Sequence, residues 1–92
     1  MQVDVNLFEK DCESNLYSAF KEAKFHVDEK LKSGLFEQAL IDISLLKGPV
    51  DDFFDGVLVM AEDENLRNNR LALLGNISSL FENIADFSKL TA

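Results

Sequence analysis

The fold of this chain is decided by its first helical stretch and the turn that ends it, residues 8–40, FEKDCESNLYSAFKEAKFHVDEKLKSGLFEQAL. Apolar residues recur there at steps of three and four, which predicts a helix from about Val5 to Lys32 with one buried stripe. The stripe consists of Phe8, Cys12, Leu16, Phe20, Ala23, Val27 and Leu31. Because Gly34 can adopt the left-handed conformation that closes helices, Ser33-Gly34 predicts the end of this helix.

A second helix is predicted directly after this turn, from about Leu35 to Lys47. Its buried face consists of Phe36, Ala39, Leu40, Ile43 and Leu46. A turn this short makes the first two helices antiparallel neighbours. Gly48-Pro49 is predicted to break the second helix, since Pro49 suits the first position of a third helix. That short helix ends near Asp55-Gly56, after which residues 57–60 form a connector or a continued helical turn. The residues expected to face the core from this third helix are Val50, Phe53 and Phe54.

The last long helix is predicted to begin at Asp63, whose carboxylate suits a helix cap, and to end near Ala85-Asp86. Its predicted buried face consists of Leu66, Leu73, Leu74, Ile77, Leu80, Phe81 and Ile84, with Phe87 and Leu90 holding the tail. No stretch alternates with the period of two that is typical of strands. The sequence therefore predicts an all-α fold, an antiparallel bundle of about four helices, with residues 1–92 as a single domain.

Composition narrows the possible functions. The formal net charge is −8, and a strongly acidic domain is a poor general binder of nucleic acid, so any RNA contact needs a local basic or polar patch. Because of this charge we expect no DNA partner. We also expect no membrane partner, because no apolar run approaches the length of a membrane span. The N-terminal residues lack a secretory signal, and Cys12, the single cysteine, is expected to be a buried thiol in a reducing compartment. These features predict a cytoplasmic protein.

The sequence carries no recognisable catalytic constellation. His26 is the only histidine, so Cys–His pairs and zinc clusters are not available, and it is expected at the edge of the first stripe. There is no glycine-rich phosphate loop. The acidic residues between Asp51 and Glu64 lack the ligand order of a calcium-binding loop, so we interpret them as a solvated edge that partly caps helices. We therefore predict no catalytic residue, no metal site and no cofactor in this chain.

Two arginines in the last helix stand out. At about 100° per residue, Arg70 lies in the middle of the buried face and Arg67 lies towards its edge. An unpaired buried charge is very costly, so Arg70 is predicted to pair with a carboxylate of the third helix, one of Asp51, Asp52 or Asp55. Arg67 is the better candidate for contact with a ligand.

Three segments in the second half of the chain resemble a known family. They are residues 48–60, GPVDDFFDGVLVM, residues 63–74, DENLRNNRLALL, and residues 84–88, IADFS. Together they are similar to the C-terminal, DALR-type anticodon-binding domain of bacterial glycyl-tRNA synthetase β subunits. The first two helices agree with that family in pattern and in the turn around Gly34, which by itself is a weak signal.

The resemblance implies an enzyme of two α and two β subunits that joins glycine to its tRNA using ATP and magnesium. Within it, the α subunit activates glycine, and a helical domain of this kind grips the anticodon stem and loop without catalysing a step. It implies as partners the glycine tRNA, the α subunit and the rest of the β subunit, of which this chain would be a C-terminal piece with Met1 native or added. Single-stranded bases are read on their edges or by stacking. The candidate contact residues are Arg67, Asn68, Lys21, Lys24 and Lys30.

Two alternatives are weaker. A tetratricopeptide-like helix pair would fit the turn around Gly34, but its period of about 34 residues does not recur. A DALR domain of arginyl-tRNA synthetase would share the Asp-x-x-Leu-Arg-x-x-Arg-Leu motif of residues 63–71. The run from Phe53 to Met60 favours the glycyl family over it.

Overall fold

The computed structural model describes the backbone of residues 2–91 and the side chains of residues 2–86. Within that range the fold is all-α, as predicted, with no strand. A short 3-10 helix, Val5–Leu7, precedes four α-helices: α1 Asp11–Lys32, α2 Phe36–Ser44, α3 Lys47–Gly56 and α4 Glu64–Thr91.

The four helices make three legs of a bundle. The chain ascends in α1, turns at Gly34 and descends in α2 and α3 together, so that Gly56 at the end of α3 lies beside Cys12 at the start of α1. Helix α4 then starts beside the N-terminal end of α1, where Arg70 contacts Glu13. At about 1.5 Å per residue α4 is about 42 Å long, which matches the 43 Å long axis of the molecule. Helices α1 and α4 therefore run in the same direction.

This arrangement confirms the predicted all-α bundle of about four helices, one of them short. It adds that the second and third helices together supply one leg of the bundle. The first amide groups of a helix have no intrahelical partner, so the missing N–H of Pro49 costs no hydrogen bond near the start of α3. Its ring, however, clashes with a helical carbonyl four residues earlier, so the preceding helix cannot continue through it. The helix is interrupted there, at Leu45-Leu46, and not at Gly48-Pro49 as predicted.

The core lies between these legs and confirms most of the predicted stripes. Its buried apolar residues are Leu16, Phe20, Ala23, Val27, Ala39, Ile43, Leu46, Phe53, Leu73, Ile77, Leu80 and Ile84. Leu40, Phe54 and Phe81 were predicted to be buried but are 42%, 54% and 49% exposed. Each follows a fully or nearly buried residue, and neighbours on a helix point about 100° apart, so only the first of each pair faces the core.

The helix ends show where local hydrogen bonds decided the boundaries. Helix α1 was predicted to begin near Val5, but Lys10 is extended and the helix starts at Asp11. The Glu13 side chain closes this end, because its Oε1 accepts hydrogen bonds from the backbone N–H groups of Glu9 and Lys10 at 3.0 and 3.2 Å. Cys12, predicted to be buried, is half-buried in this first turn.

The other helix boundaries follow the sequence more closely. Gly34 has a φ of 73°, which confirms the left-handed turn after α1. Asp63 Oδ1 accepts hydrogen bonds from the N–H groups of Asn65 and Leu66 at 2.9 and 3.2 Å, which confirms the cap of α4. Helix α4 continues to Thr91, past its predicted end. The predicted tail contacts of Phe87 and Leu90 lie outside the described side chains.

Candidate nucleic-acid interface

Arg70 is buried and paired, but its partners differ from the predicted ones. Its Nη2 lies 3.3 Å from Glu9 Oε1 and 3.4 Å from Glu13 Oε1, and its Nη1 donates to the carbonyl of Leu58 at 2.8 Å. The prediction of Asp51, Asp52 or Asp55 was wrong because α3 packs mainly against α1, whereas it is the first turn of α1 that contacts α4 beside Arg70. With 5% of its surface exposed, Arg70 is held inside the protein and has no access to a ligand.

Glu13 is the partner that the sequence interpretation missed. It is 1% exposed, and its two oxygens are shared between the start of α1 and the guanidinium of Arg70. A glutamate in the first turn of a helix, next to an apolar stripe, is the signal that could have indicated it.

Asn69 is a second buried polar residue that the sequence interpretation missed. Its Oδ1 accepts from the N–H of Asp4 at 2.7 Å, and its Nδ2 donates to the carbonyl of the same residue at 2.9 Å. This pair of bonds ties the N-terminal segment to α4. Asn69 follows Leu66 by three residues and precedes Leu73 by four, so the helical period alone places it on the buried face.

Arg67 and Asn68 lie on the first turns of α4. Asn68 is exposed, and Arg67 is half-buried with its Nη1 donating to the carbonyl of Ala61 at 3.3 Å. Arg67 therefore helps to hold the connection between α3 and α4, and its guanidinium has further donors for another partner.

The three candidate lysines of α1 have different surroundings. Lys21 is exposed, with its Nζ 4.9 Å from the centroid of the Tyr17 ring. Lys24 pairs with Asp28 at 2.8 Å on the surface. Lys30 pairs with Asp42 of α2 at 3.2 Å and is partly covered. Of the three, Lys30 has the least freedom to contact a ligand.

The predicted contact residues do not form one patch. Arg67 and Asn68 lie near the level of Glu13, at the end of the bundle where α1 and α4 begin. Lys30 lies seventeen residues further along α1 than Glu13, or about 26 Å along the helix axis. Lys21 and Lys30 also point in opposite directions, about 180° apart around α1. The structure separates the candidates into two regions. We call Arg67 and Asn68 the DALR end, and Lys21, Lys24 and Lys30 the α1 face.

The charges of the molecule are segregated between these two regions. Residues 51–64, which form most of α3 and the connection to α4, carry six acidic residues and no basic one. Residues 17–36 carry four basic and three acidic residues. Lys47 precedes the acidic region, and a hydrogen bond from its Nζ to Asp51, together with the charge of that carboxylate, raises the pKa of Lys47. A phosphate backbone is therefore repelled from the α3 side and tolerated along α1.

Other kinds of site are poorly supported. Among the described side chains, no group of three or more histidine, cysteine or acidic residues is placed to hold a metal ion. A groove of about 150 Å³ between α1 and α2 is edged by Glu22, His26 and Asp42, which gives it an acidic rim. His26 is exposed, 3.9 Å from Glu22. No helix within residues 2–91 is both long and apolar enough to cross a membrane.

Comparisons with known proteins agree on one family. The profile described as "DALR anticodon binding domain" matches residues 2–91. The chain is 57% identical over 90 residues to the "Glycine--tRNA ligase beta subunit" of Geotalea daltonii, which covers 98% of this chain and 13% of that protein. It is 53% identical over 85 residues to the protein of the same name from Geotalea uraniireducens, covering 92% of this chain and 12% of the relative.

A third relative extends this agreement beyond one genus. The "Glycine--tRNA ligase beta subunit" of Geobacter metallireducens is 48% identical over 90 residues, covering 98% of this chain and 13% of that protein. No solved structure matches the chain. The chain thus spans about an eighth of the length of these relatives. Because the family profile covers residues 2–91, the chain belongs to the DALR anticodon binding domain family.

Proposed function

We propose that this chain is the anticodon-binding domain of a bacterial glycine–tRNA ligase β subunit. It recognises the anticodon stem and loop of glycine tRNA while other parts of the enzyme join glycine to that tRNA. The observation that carries the proposal is the match of the DALR profile across residues 2–91, together with relatives that are all glycine–tRNA ligase β subunits. The same relatives favour the glycyl enzyme over the arginyl one.

The rest of the proposed enzyme follows the resemblance described above. It is cytoplasmic, contains two α and two β subunits, and uses ATP and magnesium at a site outside this chain. The role proposed for this domain is positioning, since binding energy from a remote part of a substrate can orient the reacting end. The domain is then expected to affect tRNA recognition without affecting glycine activation.

The proposed RNA contacts are Arg67 and Asn68 at the DALR end and Lys21, Lys24 and Lys30 on α1. The net charge of −8 predicts that the isolated chain binds tRNA weakly, because few condensed counterions are released. The remainder of the β subunit is proposed to supply the missing affinity. Tight binding of glycine tRNA by the isolated chain at physiological salt would contradict this expectation.

A footprint of tRNA on the assembled ligase tests the proposed function. The intact enzyme should protect the anticodon loop from cleavage, and an enzyme whose β subunit lacks this domain should leave the loop unprotected. Glycine-dependent exchange of pyrophosphate into ATP, which needs no tRNA, should be the same in both enzymes. Unchanged protection after removal of the domain would reject the proposal.

Arg67→Ala refines the test within the same enzyme. If the guanidinium contacts the anticodon loop, the variant should lose protection of one or two nucleotides and keep the rest of the footprint. Asn68→Ala is the adjacent comparison, since Asn68 is exposed and its side chain makes no hydrogen bond to the described residues. A footprint identical to that of the parent enzyme would remove Arg67 from the set of contact residues.

A further inference from the structure

Phe25 is a large apolar residue that the fold does not use. Its side chain is 62% exposed in the middle of α1, whereas the core of that helix is formed by Leu16, Phe20, Ala23 and Val27. At about 100° per residue, Phe25 points about 170° away from the mean direction of those four residues. Burial therefore gives no reason for an aromatic ring at this position.

The ring of Phe25 contacts one neighbouring ring. It makes an edge-to-face contact with the ring of His26, with centroids 5.5 Å apart and planes at 77°. Such a contact restricts the orientation of an aromatic ring while leaving more than half of this side chain open to solvent. An exposed ring with a restricted orientation suits a flat ligand that stacks on it.

Two lysines share the outward face with this ring. Lys21 precedes Phe25 by four residues and Lys32 follows it by seven, so the three side chains project within an arc of about 40°. We call Lys21, Phe25 and Lys32 the α1 outer strip. It covers eleven residue steps, or about 16 Å of the helix surface, with a cationic side chain at each end.

The electrostatic setting of the α1 outer strip differs from that of the other exposed phenylalanines. Three acidic residues lie within about one turn of Phe25, and one of them, Asp28, is neutralised by Lys24 at 2.8 Å. Glu22 and Glu29 lie to one side, towards α2, and leave the other side open. By contrast, Phe54 is 54% exposed within the region of six acidic residues. An aromatic face between two lysines matches a nucleotide, which offers a base to stack and phosphates to pair.

We infer that the α1 outer strip binds an unpaired base of single-stranded RNA, with the base stacked on Phe25 and the flanking phosphates near Lys21 and Lys32. This inference rests on the proposed function and assigns to the anticodon loop a contact surface on α1. It adds Phe25 and Lys32 to the candidate residues and favours α1 over the DALR end as the side that faces the RNA. It also leaves Lys30, which is turned towards α2, outside the interface.

The test uses the assembled ligase with its full β subunit and measures the Kd of glycine tRNA by fluorescence anisotropy. Phe25→Ala should raise Kd by about 5- to 150-fold, the range that corresponds to the loss of one base–aromatic stack. Phe25→Trp should bind within a few-fold of the parent, since it keeps an aromatic face. Phe25→Leu, which keeps apolar area but has no π face, should bind like Phe25→Ala. Parent-like binding by Phe25→Leu would overturn the stacking assignment.

Matched controls separate the strip from other exposed surfaces. Phe54→Ala removes an equally exposed ring from the acidic region and should leave Kd unchanged. Each of Lys21→Ala and Lys32→Ala should reduce the slope of log Kd against log salt by about 1, as expected for a phosphate contact. A loss of binding in Phe54→Ala together with parent-like binding in Phe25→Ala would overturn the inference.

The outcomes also distinguish this inference from the proposed function. If removal of the whole domain exposes the anticodon loop but Phe25→Ala binds normally, the strip is not the contact surface and the proposed function stands. If removal of the domain changes neither the footprint nor Kd, both proposals fail. If Phe25→Ala weakens assembly of the subunits and leaves the Kd of the assembled enzyme unchanged, the strip binds protein, and the inference is overturned.

Discussion

The buried ion pair between Arg70 and Glu13 provides the sharpest test of the fold. Arg70→Met removes the guanidinium and leaves the Glu13 carboxylate, which is 1% exposed, with only the backbone N–H groups at the start of α1. Removing one partner of a buried pair costs about 3–5 kcal/mol, because the remaining charge is uncompensated. A domain of 92 residues has a free energy of unfolding of roughly 5–14 kcal/mol, so this single change should remove a large part of it.

A double-mutant cycle isolates the charge term. Glu13→Gln keeps an oxygen that can accept hydrogen bonds from the backbone N–H groups at the start of α1, but it removes the charge. It should destabilise the fold, because Arg70 is left with only the half-exposed Glu9 carboxylate and the carbonyl of Leu58. In the double variant Arg70→Met/Glu13→Gln neither buried charge remains. Its free energy of unfolding should exceed the additive expectation by about 2–3 kcal/mol, at the upper end for residues in direct contact.

Urea denaturation followed by circular dichroism measures these free energies. Lys24→Met is the control, because it breaks an ion pair whose side chains are 52% and 39% exposed and should cost less than about 0.5 kcal/mol. In thermal unfolding, Arg70→Met should lower Tm by at least about 12 °C, from about 4 °C for each kcal/mol. A cost below about 1 kcal/mol for Arg70→Met, or additivity in the cycle, would refute the role of this pair.

Three further changes test separate parts of the fold. Asn69→Leu removes both bonds to the N-terminal segment and should cost about 1–3 kcal/mol, with faster hydrogen exchange at residues 3–6; unchanged exchange there would contradict it. Gly34→Ala should destabilise by about 1 kcal/mol because its φ is 73°, and a variant at least as stable as the parent would refute this. Gly56→Ala places a Cβ 2.6 Å from Cys12 Sγ and should cost about 1–3 kcal/mol, and Cys12→Ala in the same chain should restore most of that loss.

The helical period accounts for the part of the fold that the sequence predicted well. Leu16, Phe20, Ala23 and Val27 follow one another at steps of three and four, and each is buried. Such a stripe has only one way to face a core, so its burial follows from the period alone. The glycine after α1 is equally local, since few residues other than glycine adopt its conformation readily.

Long-range contacts account for the predictions that failed. The sequence indicates that Arg70 needs an anion, but many carboxylates are available, and which one lies near depends on the direction in which each leg runs. The predicted partners were the carboxylates of the third helix. In the structure α3 packs mainly against α1, and the start of α1 contacts α4 beside Arg70 and supplies Glu13.

The predictions for the candidate site show the same contrast between local patterns and long-range contacts. Composition predicted that any RNA contact must be local, and the resemblance directed attention to Arg67 and Asn68. Neither could show that Lys30 is turned towards Asp42. The acidic edge of residues 51–64, by contrast, was already visible in the sequence. Phe25 was visible in the sequence as an aromatic residue outside the stripe, and its significance emerged only when the structure showed no neighbour covering it.

One measurement tests the central claim most directly: a thermodynamic cycle for tRNA binding to the assembled ligase, with and without this domain, and with tRNA that has or lacks its anticodon loop. If the domain binds the anticodon loop, removing the domain or removing the loop should each weaken tRNA binding. Removing the domain and the loop together should weaken binding no further than removing one of them. The account predicts this complete coupling. Fully additive losses, or no loss on removing the domain, would contradict it.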